Sequence, residues 1–129
     1  MDYLLVALGA AIGSFGRYQI GALVQDLAGD PNFPLGTFLV NISGAFLIGL
    51  AFGISLRGYV SSGTWTLVVV GGFGGYTTFS TFTLETLDLY SRGNYKGVVL
   101  NLLSGPVGLI AIALGVILIE GLRGLGFGV

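Results

Sequence analysis

The chain has 129 residues, of which 53% are hydrophobic and only 9% are charged, and its formal net charge is −1. Its mean hydropathy of +0.92 is typical of a membrane protein, and the lack of a basic stripe argues against a nucleic-acid partner. Because the sequence contains neither cysteine nor histidine, it excludes disulfides, thiol chemistry and the usual transition-metal ligands.

Four hydrophobic segments follow one another along the chain, separated by short connections rich in turn residues. The segments are Tyr3–Val24, Leu35–Leu56, Thr64–Tyr90 and Gly97–Ile119. Each has close to, or more than, the roughly 20 residues that a helix needs to cross a bilayer. Since no linker divides the chain, we predict a single four-helix transmembrane domain over residues 1–129, an all-α fold that crosses the membrane several times.

Arg17 interrupts the first hydrophobic segment. A charged side chain at the centre of a transmembrane helix costs about 2.5–3.5 kcal/mol on insertion scales, and less near a helix end. Arg17 therefore either supplies a positive potential that draws anions into a vestibule, or anchors the helix at the interface beside Tyr18. Both interpretations remain open at this point.

Asn41 lies in the middle of the second segment, with Thr37 one turn before it and Gly44 about one turn after it. A side-chain amide at this depth either donates hydrogen bonds to a substrate or ties helices together. We favour the first interpretation, in which Asn41 donates hydrogen bonds to a substrate.

The third segment contains the stretch GGFGGYTTFSTFT at residues 71–83, with four glycines in five positions and five hydroxyl residues in the seven that end it. Glycine weakens a helix, so we predict a glycine-rich break here, with Gly75 leaving helical geometry. Irregular backbone at membrane depth occurs only where it is buried in protein or lines a water-filled path. The stretch therefore indicates a conduction or binding element.

Two chemistries are compatible with this stretch. If a helix resumes near Thr77, Phe79 and Phe82 share one face, where their positive ring edges can meet an anion or the rings can simply pack. Backbone carbonyls released by the glycines suit Na⁺, although the glycines can equally serve a kink. Glu85 and Asp88, near the end of the segment, are cation or proton ligands or, more commonly, solvated carboxylates at a helix end.

The loop charges do not favour one orientation of the chain in the membrane. Arg57 and Arg123 belong to one side, and Arg92 and Lys96 belong to the other. Since the positive-inside rule has no excess to act on, we predict that the chain inserts both ways up and pairs antiparallel, unless Arg17 or the amino terminus breaks the tie.

Small residues recur at the spacing used in membrane helix packing, in the pairs Gly9/Gly13, Gly49/Gly53 and Gly71/Gly75. Such pairs allow close approach of two backbones. They favour dimerisation, or they serve packing within one chain.

Four motifs occur in order along nearly the whole chain: GSFGRY at 13–18, GTFLVN at 36–41, GGYTTFSTFTLE at 74–85 and RGNY at 92–95. In this order and spacing they resemble the Fluc/CrcB fluoride channels. The resemblance implies a passive channel that exports fluoride from the cytoplasm through the cell (inner) membrane. It also implies an antiparallel, dual-topology homodimer with two fluoride pores and a central structural Na⁺.

The same resemblance implies roles for individual residues. The carbonyls of Gly75 and Thr78 would hold the Na⁺, and Phe79 and Phe82 would form aromatic fluoride sites. The remaining expected site residues are Asn41 as a pore-lining donor, Ser80 and Thr81 as hydroxyl contacts near the pore or the break, and Arg17 as a vestibule charge.

The fourth segment departs from the family pattern, in which a tyrosine and a row of serines form a polar track. Here the stretch reads NLLSGPVGL at 101–109, so that only Asn101 and Ser104 are left to replace part of the track. Pro106 removes a helical hydrogen bond and is expected to kink this helix. The departure also leaves pairing with a paralogous chain as an alternative to the homodimer.

Two other classes of protein are alternatives to a channel. A small multidrug-type transporter, which is also a dual-topology dimer, exchanges protons through an acidic residue in its first helix, where this chain has Arg17. An enzyme needs a general base or a nucleophile pair, for which a chain without histidine, cysteine or clustered carboxylates offers no candidate. The sequence therefore predicts a channel and not an enzyme.

Overall fold

The computed structural model describes residues 2–30, 32–56 and 58–125, and every regular element in these ranges is helical. The first two helices are α1 (Asp2–Ala28) and α2 (Leu35–Ser55). α1 ends at Gly29, which adopts a φ of +62° and donates its N–H to the Gln25 carbonyl, as glycine commonly does just past a helix. α2 begins directly after Pro34, whose missing N–H has no role before the first turn.

The third span, Ser62–Ser91, is built from four helical pieces. They are α3 (Ser62–Thr64), a π-helical segment (Trp65–Phe73), α4 (Gly74–Tyr76) and α5 (Phe79–Ser91). Between α4 and α5, Thr77 and Thr78 adopt extended backbone angles and interrupt the span. The interruption therefore follows the glycines. The expectation that Gly75 leaves helical geometry is wrong, because Gly75 lies within α4.

The fourth span, Tyr95–Gly124, consists of α6 (Tyr95–Leu102) and α7 (Ser104–Gly124). The single residue between them, Leu103, keeps right-handed helical angles. Pro106 lies in the first turn of α7 and offers no N–H to the Leu102 carbonyl, which accounts for a helix boundary at this point.

Three of the four predicted spans are confirmed as long and apolar enough to cross a membrane, namely Leu35–Ser55, Ser62–Ser91 and Tyr95–Gly124. α1 is not among the three. With 27 residues it is nevertheless about 40 Å long at 1.5 Å per residue. The described chain is thus an all-helical, multi-pass arrangement, and Arg57 of the predicted loop charges lies outside the described residues.

Glycines bring α1 into direct backbone contact with the third span. A Cβ atom on Gly9 would collide with the Leu67 carbonyl oxygen, and one on Gly13 would collide with the Gly72 carbonyl oxygen. From the other side, a Cβ on Gly75 would lie 2.7 Å from the backbone of Ala10. Glycine is needed at 75 for this close approach and not for an unusual backbone angle.

α2 and α7 pack in the same way. A Cβ on Gly49 would collide with the Ile112 carbonyl oxygen, and one on Gly53 would lie 3.0 Å from the Ile119 side chain. All three glycine pairs found in the sequence therefore serve packing within the chain, and they carry no argument for a dimer.

Candidate functional site

The interruption of the third span releases backbone groups that other parts of the chain must satisfy. Thr78, which is 6% exposed, is the N-cap of α5 and accepts a hydrogen bond on its Oγ1 from the Thr81 N–H at 3.2 Å. β-branched residues favour extended backbone, so two successive threonines suit this position. The helix thus restarts with its own cap, and its first backbone groups face α2.

Asn41 of α2 holds both backbone polar groups of Thr78. Its Oδ1 accepts from the Thr78 N–H at 2.7 Å, and its Nδ2 donates to the Thr78 carbonyl at 3.1 Å. Since an amide nitrogen carries two hydrogens, one remains for a further acceptor. The structure therefore shows Asn41 tying two helices together, while its role as a pore-lining donor stays a prediction.

Arg17 of α1 lies on the other side of the interruption. Its Nη1 donates to the Thr77 carbonyl at 3.3 Å, and the residue is half-buried, whereas neighbouring Tyr18 is exposed. The C-terminal end of a helix carries negative partial charge, so a guanidinium is stabilised there. Arg17 thus contacts the interruption, and its role as a vestibule charge stays a prediction.

A partly open cavity of about 460 Å³ lies between α1, α2 and α5, and we call it the polar cavity after the polar side chains that line it. The polar side chains that line it include Ser14, Arg17, Gln25, Thr37, Thr78, Thr81 and Glu85. In it, Thr37 donates to Glu85 Oε1 at 2.6 Å, and Glu85 Oε2 is buried without a partner among the described residues. The cavity therefore contains one guanidinium, one carboxylate and several hydroxyls.

The two carboxylates near the end of the third span differ. Asp88 is exposed and pairs with Arg92 at 2.9 Å, as expected for a solvated helix end. Glu85 is half-buried and bonded to Thr37, so the solvated interpretation is wrong for Glu85. The half-buried position of Glu85 could be predicted only with the knowledge that α2 packs beside α5. The polar character of Thr37 within an apolar segment was the available signal.

The remaining predicted site residues divide between two faces of α5. Thr81 lines the cavity, and its hydroxyl oxygen accepts from the Thr78 hydroxyl at 3.0 Å. The Ser80 hydroxyl lies 3.3 Å from the Thr78 hydroxyl oxygen. Phe79 and Phe82 do not line this cavity. Their ring centroids are 5.7 Å apart at an interplanar angle of 35°, and Phe79 is 79% exposed. The two phenylalanines thus form one pair, as predicted from their spacing.

The carbonyls of Gly75 and Thr78 lie on the two sides of the interruption, and their role as sodium ligands stays a prediction. The Thr78 carbonyl accepts from Asn41, and Thr78 is the N-cap of α5, where a helix carries positive partial charge. Gly75 lies instead in the last turn before the interruption, at the negatively polarised end of the preceding helix. The Thr77 carbonyl, which accepts from Arg17, belongs to that end. The carbonyls before the interruption are therefore negatively polarised, and one of them is already paired with the Arg17 guanidinium.

Apolar spans, a helix interrupted within its span and the polar cavity at the interruption define a multi-pass membrane protein with polar groups within its spans. The chain belongs to the family described as CrcB-like protein, Camphor Resistance (CrcB), whose model matches residues 4–116.

Relatives of known name are similar over most of the chain. The fluoride-specific ion channel FluC of Acidobacterium capsulatum is 42% identical over 119 residues, which are 91% of this chain and 94% of that protein. Proteins of the same name from Thermus thermophilus and Solibacter usitatus are 50% identical over 91 residues and 41% identical over 120 residues. These matches cover 70% and 92% of this chain, and 72% and 98% of the respective relatives. The relatives are ion channels and not enzymes.

Proposed function

We propose that this chain forms a fluoride-selective channel through which fluoride leaves the cytoplasm passively. The observation that carries the proposal is the similarity to a fluoride-specific channel across 91% of this chain and 94% of the relative. Fluoride enters cells from acidic surroundings as the neutral acid and dissociates in the more neutral cytoplasm. A passive anion path then suffices for export, because the membrane is negative inside.

The polar cavity is the proposed vestibule of this path. Arg17 is the cationic side chain that lines it and attracts anions to its end of the cavity, whereas Glu85 lies at the α5 wall. The Thr81 hydroxyl accepts from Thr78, so its own hydrogen is free to meet an anion that sheds water. These groups offset part of the cost of removing water from a small anion.

The narrow part of the path is proposed to pass Asn41 and the pair Phe79 and Phe82. Asn41 has one amide hydrogen left after bonding Thr78, and the phenylalanine edges carry positive partial charge. Ser80, next to Phe79, contributes a further hydroxyl. Few donors and weakly positive edges suit a small, hard anion.

The proposed assembly is an antiparallel homodimer that inserts both ways up in the cell (inner) membrane, with a paralogous chain as the alternative partner. Support comes from the even loop charges and from an apolar groove of about 460 Å³ formed by α1, α2 and the third span. Ile12, Gly16 and Phe73 lie in this groove, whose lining is almost entirely apolar. A second copy of the chain is the proposed occupant.

A structural Na⁺ remains part of the proposal, held by backbone carbonyls at the interruption, with Gly75 and Thr78 as the expected ligands. The Gly75 carbonyl lies at the negatively polarised end of a helix, which favours a cation. The Thr78 carbonyl accepts one hydrogen bond from Asn41 and keeps a second lone pair for the ion.

The test is anion efflux from liposomes that contain only this purified chain. We expect fast fluoride release and almost no chloride release. Equal chloride flux, or fluoride flux that depends on an opposing proton gradient, would reject the proposal. Fluoride flux that appears only after a paralogous chain is added would retain the channel and reject the homodimer.

Orientation is tested separately in intact cells. The chain has no cysteine of its own, so the single variants Asn32→Cys and Tyr59→Cys report the two sides of the membrane unambiguously. We expect external labelling of part of the population for each variant. Labelling of only one of the two positions would contradict dual orientation.

A further inference from the structure

Asn101 of α6 is the most completely buried polar side chain among the described residues, with 0% exposure. Its Nδ2 donates to the Thr86 hydroxyl oxygen at 2.9 Å and to the Phe82 carbonyl at 3.3 Å. Both contacts cross from α6 to α5. They connect the fourth span to the backbone of Phe82, which is one of the two proposed pore phenylalanines.

The Asn101 amide, the Thr86 hydroxyl and the Phe82 carbonyl are all hydrogen-bonded to one another. Thr86 uses its one hydrogen to bond the Phe82 carbonyl at 2.7 Å, so its oxygen accepts from Asn101. The amide orientation follows from this set, because the reversed amide would place two carbonyl oxygens against each other at Phe82. Both hydrogens of Nδ2 are therefore used within the protein.

The remaining atom, Asn101 Oδ1, is buried and has no hydrogen-bond partner in the part of the chain that the structure describes. An amide oxygen repels an anion. Asn101 thus offers fluoride no donor, and it does not replace a polar track in that sense. A buried acceptor without a partner is unfavourable. The favourable contribution of the Asn101 side chain therefore comes from the two hydrogen bonds that its Nδ2 donates.

Phe79, the partner of Phe82 in the ring pair, provides the comparison, because its carbonyl has no hydrogen bond from the fourth span among the described contacts. Its carbonyl accepts from the Thr83 hydroxyl at 2.8 Å, as the Phe82 carbonyl does from Thr86. Thr83 is exposed, and it makes no bond to α6 among the described contacts. Phe82 is held from the fourth span, whereas Phe79 is held only within α5.

We propose that Asn101 is a positioning residue that fixes Phe82 by clamping its carbonyl, together with Thr86, to the fourth span. Asn101 touches no ion in this scheme, and acts through the placement of Phe82 relative to Asn41. The consequence for flux rests on the proposed function, in which fluoride passes Phe82.

The experiment compares Asn101→Leu, Thr86→Val and the control Thr83→Val in the full-length chain reconstituted in liposomes. We expect fluoride flux per folded protein to fall about tenfold in the first two variants, which each lose a buried hydrogen bond. Flux in the control should stay within about twofold of the parent, because that bond stays within one helix. The double variant Asn101→Leu with Thr86→Val should lose no more than either single one, since both act on one set of bonds.

A second measurement does not depend on flux. Fluorine NMR of a para-fluorinated phenylalanine at position 82 should give one narrow line in the parent and in Thr83→Val, and a broadened or multiple signal in Asn101→Leu. An unchanged spectrum in Asn101→Leu, or losses that multiply in the double variant, would overturn the positioning role. A parent chain without fluoride flux would instead overturn the proposed function, and the NMR comparison would still decide on Asn101.

Discussion

The third and fourth spans are both interrupted, but in different ways. In the third span Thr77 and Thr78 leave helical geometry, and their backbone groups are bonded by Arg17 and Asn41 from other helices. In the fourth span Leu103 keeps helical angles, and its backbone bonds stay within the span. The first interruption requires side chains from two other helices, whereas the second is a local effect of Pro106.

We expect this difference to separate a break that conduction requires from one that is tolerated. Within a bilayer every released backbone group needs a partner. The chain supplies partners to the third span from charged and amide side chains, which are themselves unfavourable in a membrane. Within the described residues, no side chain of another helix bonds the backbone of Leu103. We therefore expect substitutions around the third-span interruption to abolish conduction, and substitutions at the fourth-span interruption to be mild.

The largest effect is expected for Asn41→Ala, which leaves both backbone groups of Thr78 without a partner. Each unsatisfied buried group costs about 1–3 kcal/mol, so fluoride flux should fall about a hundredfold or the chain should fail to fold. Ser43→Ala is the control, because Ser43 lies on the same helix, is exposed, and bonds Val40 and Tyr76 instead. The measurement is liposome flux, together with thermal unfolding in detergent. Parental flux in Asn41→Ala would contradict the assignment.

Close packing before the interruption gives the next effect. Gly75→Ala places a methyl group 2.7 Å from the Ala10 backbone and should lower stability by about 1–3 kcal/mol. The neighbouring variant Gly74→Ala meets its nearest atom at 3.8 Å, so it should be neutral or slightly stabilising, since alanine favours a helix. Thermal unfolding of both variants decides the point. Equal effects would show that packing against α1 is not the reason for glycine at 75.

Arg17→Met removes the vestibule charge while keeping much of the side-chain length. We expect fluoride flux at low ionic strength to fall about tenfold, and the deficit to shrink as salt screens the charge. Arg92→Met is the control, because Arg92 is exposed and paired with Asp88. A deficit that is independent of salt would mean that Arg17 acts by holding Thr77 and not through its charge.

The smallest effect is expected for Pro106→Ala. Alanine restores an N–H for the Leu102 carbonyl and permits a continuous helix through Leu103. Fluoride flux should stay within about twofold of the parent, since no contact from another helix is lost. A large loss of flux would place the fourth-span interruption among the functional elements and remove the contrast between the two spans.

The sequence predicts much of this arrangement because apolar length and glycine or proline content are local properties. These local properties predict three of the spans and the disturbed helix near Pro106. The spacing of Phe79 and Phe82 predicts their pairing. The exact place of the third-span interruption does not, because Thr77 and Thr78 depend on Asn41 and Arg17 from other helices. The bond between Thr37 and Glu85 and the role of Gly75 in packing likewise depend on which helices are neighbours, which periodicity alone does not reveal.

The most direct test of the central claim is the fluoride-to-chloride flux ratio of Asn41→Ala and Pro106→Ala, measured side by side in liposomes with the parent chain. We expect Pro106→Ala to keep the parental ratio. Asn41→Ala should lose fluoride flux and, where flux remains, show a lower ratio. A parental ratio and rate in Asn41→Ala, or a collapse of both in Pro106→Ala, would contradict the proposal that fluoride passes Asn41 beside the third-span interruption.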